Sequence, residues 1–166
     1  EPDGASGVAP QSLAEAMGKM GIDLVQMANS YSINRGLSGL VSSIDAVRSA
    51  GMEPLGAYAT EQDFKDSGGY TIVEVQGIRL AVVAFTKGMD GMTLPKGSEN
   101  CVNVLYKDYD TTYHSVDKDK INKILDAAER EKPDATIVLL HWGSEFNDTI
   151  STSQQTILNL LQEREV

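Results

Sequence analysis

The residues of this chain best suited to chemistry are His141 and Glu145, at the end of "VLLHWGSEF", residues 138–146. An apolar run fit for a buried strand stops at an imidazole, with Trp142 beside it and a carboxylate four positions on. In open α/β sheets, reactive side chains collect beyond the carboxyl ends of strands. A second strand-like run, "IDLVQMAN", leads into the polar "MANSYSINRG", residues 27–36. With the two strands as near neighbours, Asn29, Ser30, Tyr31 and Asn34 would face His141 and Glu145 across one crevice. Imidazole, carboxylate and amide oxygen together suit Mn²⁺, Fe or Zn²⁺. A pair of such metals would activate water and steady a phosphoryl oxyanion. The same residues also fit a plainer reading, in which the histidine is held by a carbonyl, the glutamate is solvated and Trp142 roofs the core edge.

Other polar residues carry less. His114, in "DTTYHSVD" ahead of a helix, suits a surface or capping role. Tyr106, Tyr109 and Tyr113 recur at spacings of three and four in a loop-like stretch, where packing the loop down is the simpler use for them. Asp108 and Asp110 offer oxygen to a hard cation, yet their loop lacks the ligand spacing of calcium motifs. The single cysteine, Cys101, allows no intramolecular disulfide and no cysteine-rich zinc site. No Ser-His-Asp order, P-loop or dinucleotide fingerprint is present.

The elements that must position these residues alternate. "PQSLAEAMGKMG" places Leu13, Met17 and Met20 at helical spacing, with Gly21 as a stop. "LSGLVSSIDAVRSAG" gathers Leu37, Leu40, Val41, Ile44 and Val47 on one face. "MEPLGAYA" reads as a short strand and "TEQDFKDSGG" as a polar connection. "YTIVEV" and "IRLAVVAFT" flank Gln76-Gly77 as a β-hairpin. A long irregular segment runs from Lys87 to about Ser115, of the kind that either carries function or wraps the core. "DKDKINKILDAAEREK" restores helical spacing, "ATIVLLH" is a buried strand, and Ser151 with Gln154 makes a capping-box pattern before the last helix. The order predicts an α/β sandwich with a mixed sheet flanked by helices, in one domain spanning residues 1–166 and incomplete at both ends.

The chain's 166 residues suffice for a hydrophobic core. A formal charge of −10 argues against a nucleic-acid binder, which needs a basic footprint, and against docking on anionic lipid. No apolar run approaches the roughly 20 residues of a membrane span. The opening "EPDGASGVAP" is too polar for a signal peptide and reads as the start of a trimmed segment.

Three segments together carry a family resemblance. "GIDLVQMANSYSINRGLSGLVSSIDAVRSAGMEPLGAY", "GIRLAVVAFTKGM" and "PDATIVLLHWGSEF" resemble, in the same order, the CapA family associated with poly-γ-glutamate capsule biosynthesis. The resemblance implies a calcineurin-like metallophosphoesterase fold, export to the bacterial cell surface with a membrane or lipoprotein anchor, and handling of an anionic polyglutamate together with the capsule-synthesis machinery. It places His141 at a metal-ligand histidine and Glu145 at the acidic position of the same motif. The family's other central motif is Ala-Asn-Asn-His with an aspartate three residues on and then a glycine. Here it reads Ala28, Asn29, Ser30, Tyr31, Asn34 and Gly36, so three polar roles are replaced by weaker or non-ionisable groups. A serine hydroxyl is a poor metal ligand, and a tyrosine with a pKa of about 10 is a poor acid or base at neutral pH. Family elements carrying Gly-Asp, Asn-Leu-Glu and Gly-His-x-His motifs are not in this sequence.

The resemblance thus implies metal-assisted hydrolysis or transfer in an intact parent. His141 and Glu145 would hold a divalent Mn, Zn or Fe, Tyr31 and Asn34 would stand at the catalytic positions, and Asn29, Ser30 and Trp142 would contact substrate. Two readings stand beside it: a non-catalytic envelope module that binds polymer, and a metal-dependent phosphoesterase or nucleotidase. An open sheet edge also predicts strand exchange between copies, giving a homo-oligomer.

Overall fold

A computed structural model describes residues 9–166. The polar opening lies mostly outside the described residues. The elements run α1 (Gln11–Lys19), β1 (Leu24–Gln26), α2 (Gly36–Ser49), β2 (Glu53–Leu55), α3 (Glu61–Ser67), β3 (Thr71–Val75), β4 (Ile78–Thr86), α4 (Lys118–Arg130), β5 (Ala135–His141) and α5 (Thr152–Glu163). The class is α/β, with two small sheets flanked by helices. Strands β1 and β2 pair in parallel; β4 pairs antiparallel with β3 and parallel with β5, so the larger sheet is mixed.

Strand β4 is the spine. Its side chains alternate between faces as a pleat requires. Ala81, Val83 and Phe85 enter a core with Ile121, Ile124 and Leu125 of α4 and Ile157 and Leu161 of α5. Val82 and Ala84 face the other way, against Leu55 and the flanks of β1, β3 and β5. Each fully buried isoleucine or leucine of these helices contributes roughly 1.5–3 kcal/mol. A third cluster joins Leu40 and Ile44 of α2 to Met89, Cys101, Val102 and Val104.

The long segment after Lys87 wraps the core. Val102 bridges to Ala57 and Val104 to Thr86, so a few extended residues tie the smaller sheet to the larger. Asn103, fully buried between them, donates its backbone N–H to the Gly56 carbonyl and accepts from Thr86 N–H, both at 2.9 Å; its amide nitrogen donates to Gly69 O at 3.0 Å and Ala84 O at 3.1 Å. The tyrosines pack the same segment down: Tyr106 is buried, and the Tyr109 hydroxyl accepts from Leu94 N–H at 3.0 Å.

Two expectations change. The polar connection "TEQDFKDSGG" contains α3, capped by Thr60 accepting from Asp63 N–H and ended by Gly68 in the left-handed region. Its one buried residue, Phe64, gives no periodicity to detect. Helix α1 forms where its spacing predicts, but its apolar face is not core: it buries no residue, and Leu13 and Met20 are exposed.

Candidate functional site at the ends of β1 and β5

Beyond β1, the N–H groups of Met27 and Ala28 both reach Leu55 O, and the chain then turns sharply. Asn29 builds that turn. Its side-chain oxygen accepts from Tyr31 N–H at 2.8 Å, its amide nitrogen donates to Met27 O at 3.3 Å, and its own N–H donates to the Ser32 hydroxyl at 3.0 Å. Ser32 in turn donates to Met27 O. Buried Ile33 anchors the far side, while Tyr31 and Asn34 are exposed.

Strand β5 arrives beside β4 with His141 opposite Thr86, and the His141 carbonyl accepts from Lys87 N–H at 2.8 Å. Trp142 then packs, half-buried, against the larger core. Gly143 takes φ +90°, a conformation that glycine adopts without strain, and its carbonyl accepts from the Lys87 ammonium. Glu145 and Phe146 follow on an exposed turn.

The two polar corners meet. Ser30 Oγ lies 3.2 Å from His141 Nε2. Partial desolvation, and after it the Lys87 charge, lower the imidazole's pKa below its ordinary value and favour its neutral form. The other expected participants stay apart. Among the described residues, neither Asn34 nor Glu145 hydrogen-bonds to His141, and the Asn29 side chain is committed to backbone. Nor, among the described residues, do three His, Cys, Asp or Glu side chains converge as a metal cage would need. The residues present therefore do not by themselves fit a divalent cation: one imidazole contacts a serine hydroxyl, and hydroxyls are weak ligands for Mn, Zn or Fe.

The model of the bacterial capsule synthesis protein PGA_cap matches residues 3–165. The chain belongs to that family. Among curated proteins, the capsule biosynthesis protein CapA of Bacillus anthracis is 23% identical over 150 residues, covering 90% of this chain and 34% of that protein. This PGA_cap chain thus spans about a third of the relative's length. No helix among the described residues is long and apolar enough to cross a membrane.

Sequence reasoning missed one residue of this corner. Lys87 follows β4 directly, contacts the His141 and Gly143 carbonyls, and sits 5.5 Å from the Tyr113 ring centroid. The signal lay in "AFTKG", a cation set immediately after the most buried strand.

Asp108 is also placed. Against a desolvation that raises its pKa, hydrogen bonds from the Thr112 hydroxyl and from the N–H groups of His114 and Ser115 hold the carboxyl at about 2. It organises its own loop, and exposed His114 lies on that loop.

Proposed function

We propose that this chain is part of an exported envelope protein of the PGA_cap family that engages an anionic polymer of the poly-γ-glutamate type, and that the segment works by binding rather than by metal chemistry of its own. One observation carries this reading. At the corner where the family resemblance expects metal ligands, His141 Nε2 is directed at Ser30 instead of at a second ligand. The Asn29 side chain supports the turn and the Tyr31 ring is exposed, so the corner has the character of a surface. The single domain and the metallophosphoesterase-like architecture belong to the same proposal. The helix-flanked mixed sheet, with Ser30 and His141 at strand ends, supports that architecture.

The test uses this chain, biosynthetic poly-γ-glutamate of defined length and an excess of EDTA. The expected result is saturable binding that chelation leaves unchanged, with no turnover of a phosphodiester ester in the presence of Mn²⁺. Mn²⁺-dependent hydrolysis by the chain that His141→Ala abolishes would overturn the reading in favour of a phosphoesterase.

A further inference from the structure

Beside the Ser30–His141 corner, on the far side of Lys87 and Gly143, a cavity of about 150 Å³ opens between the 106–114 loop, the turn after β5 and the start of α5. That space is well above what a single water needs and admits a side-chain carboxylate. Its walls are unusual for a chain with 24 acidic residues: among the described residues none of those that line it is acidic.

The donors are fixed by the fold. Gln154 is the third helical residue of the α5 capping box, and its side-chain oxygen accepts from Ser151 N–H at 2.9 Å. A backbone N–H can only donate, so the oxygen is settled and the amide NH₂ end is left over. That nitrogen lies 3.6 Å from where a Cβ on Gly143 would stand. Asn147 repeats the arrangement, its oxygen accepting from Thr149 N–H at 2.9 Å. The Lys87 ammonium gives one hydrogen bond to Gly143 O and keeps two protons for other partners. The capping box already occupies the N–H of Gln154, so the helix end itself is not what makes the site.

We infer that this cavity is a carboxylate-binding subsite, in which Lys87 Nζ and the amide nitrogens of Gln154 and Asn147 receive one pendant carboxylate of a glutamate-type polymer. One ammonium with neutral donors matches a monoanion better than doubly charged phosphate. Asp108, on the same loop, is not among the residues that line the cavity, and its carboxylate is engaged by the Thr112 hydroxyl and by the N–H groups of His114 and Ser115. The inference rests on the polymer reading above for the identity of the ligand.

The test is an amide-shift titration of the chain with glutarate, with a γ-linked glutamate trimer and with inorganic phosphate, at constant ionic strength. Gln154→Glu and Asn147→Asp keep the oxygens that hold the fold and replace each donor by an anion. Gln11→Glu adds the same charge on α1. The expected result is saturable shifts at Ser144 and Asn147 with glutarate and trimer, weakened about tenfold or more in the first two variants and unchanged in Gln11→Glu. Equal weakening in all three variants would overturn the site, as would phosphate binding in preference to both carboxylates. Glutarate binding without trimer binding would keep the site and overturn the polymer reading. Trimer binding indifferent to Gln154→Glu would do the reverse.

Discussion

The Ser30 hydroxyl and the His141 imidazole, 111 positions apart in sequence, stand 3.2 Å from one another. The contact joins the carboxyl ends of β1 and β5 and makes one site of two polar segments. It also directs the imidazole nitrogen at a hydroxyl, a partner that orients it without adding a metal ligand.

The first prediction concerns metal. Calorimetric titration of this chain with Mn²⁺ or Zn²⁺ is expected to give no saturable heat lost on His141→Ala. The triple change Ser30→Asn, Tyr31→His and Asn34→Asp supplies the amide, imidazole and carboxylate that the family resemblance implies at these positions and is expected to gain measurable affinity. Stoichiometric binding by the unmodified chain would count against the reading of the corner as a surface.

The second concerns Gly56. It takes φ +74°, and an added Cβ would stand 2.6 Å from Ala84 O and 2.8 Å from Ala28 Cβ. Both strain and clash act on Gly56→Ala, because neither the β2 end nor the β4 backbone can retreat without breaking Asn103's hydrogen bonds. The expected loss is about 2–4 kcal/mol, measured by denaturant unfolding. A loss within 0.5 kcal/mol, the scale of an ordinary surface change, would mean the two sheets are looser than described.

Much of this architecture was legible. Strand β4, β5, the hairpin at Gln76-Gly77 and the capping box of α5 all announce themselves through period or turn chemistry. The convergence of the two polar corners was legible only as a conditional, because strand adjacency depends on long-range pairing that no local pattern encodes. Lys87 was missed for the same reason: its partners, the carbonyls of His141 and Gly143, are more than fifty positions away. Asn29 illustrates the local counterpart. Its type suggested a ligand or substrate contact, and the local backbone claims its side chain.

A third prediction follows from Lys120. Burial lowers its pKa to about 8, with the Asp117 and Glu61 carboxylates opposing the shift. Its ammonium lies 3.4 Å from the carbonyls of Glu99 and Val102 and 5.8 Å from the Phe64 ring centroid. A lysine whose folded pKa lies below its unfolded value penalises the fold fully below pH 8 and is relieved as pH rises from 8 towards 10.5. Lys120→Met is therefore expected to raise Tm at pH 7, with the gap to the parent narrowing across that window. A gap independent of pH would show that packing, not charge, sets the difference.

The fourth concerns Asp108, whose folded pKa of about 2 lies below the ordinary 3.8. Its contribution is present above pH 3.8 and is lost as pH falls from there through 2. Asp108→Asn is expected to lower stability at neutral pH and to flatten the acid limb of a stability profile in that window. Identical acid limbs for parent and variant would remove Asp108 from the account.

Trp142, the chain's single tryptophan, is placed where β5 leaves the sheet and packs half-buried on the core. Its position has a kinetic consequence. The β3–β4 hairpin can close locally, whereas β5 must cross α4 before it finds β4. Non-local pairing of this kind comes late and slowly. Indole fluorescence during refolding is thus expected to report the docking of β5 rather than the first collapse. Its slow phase would be the clock for assembly of the whole polar corner, since His141 reaches Ser30 only when that strand is seated.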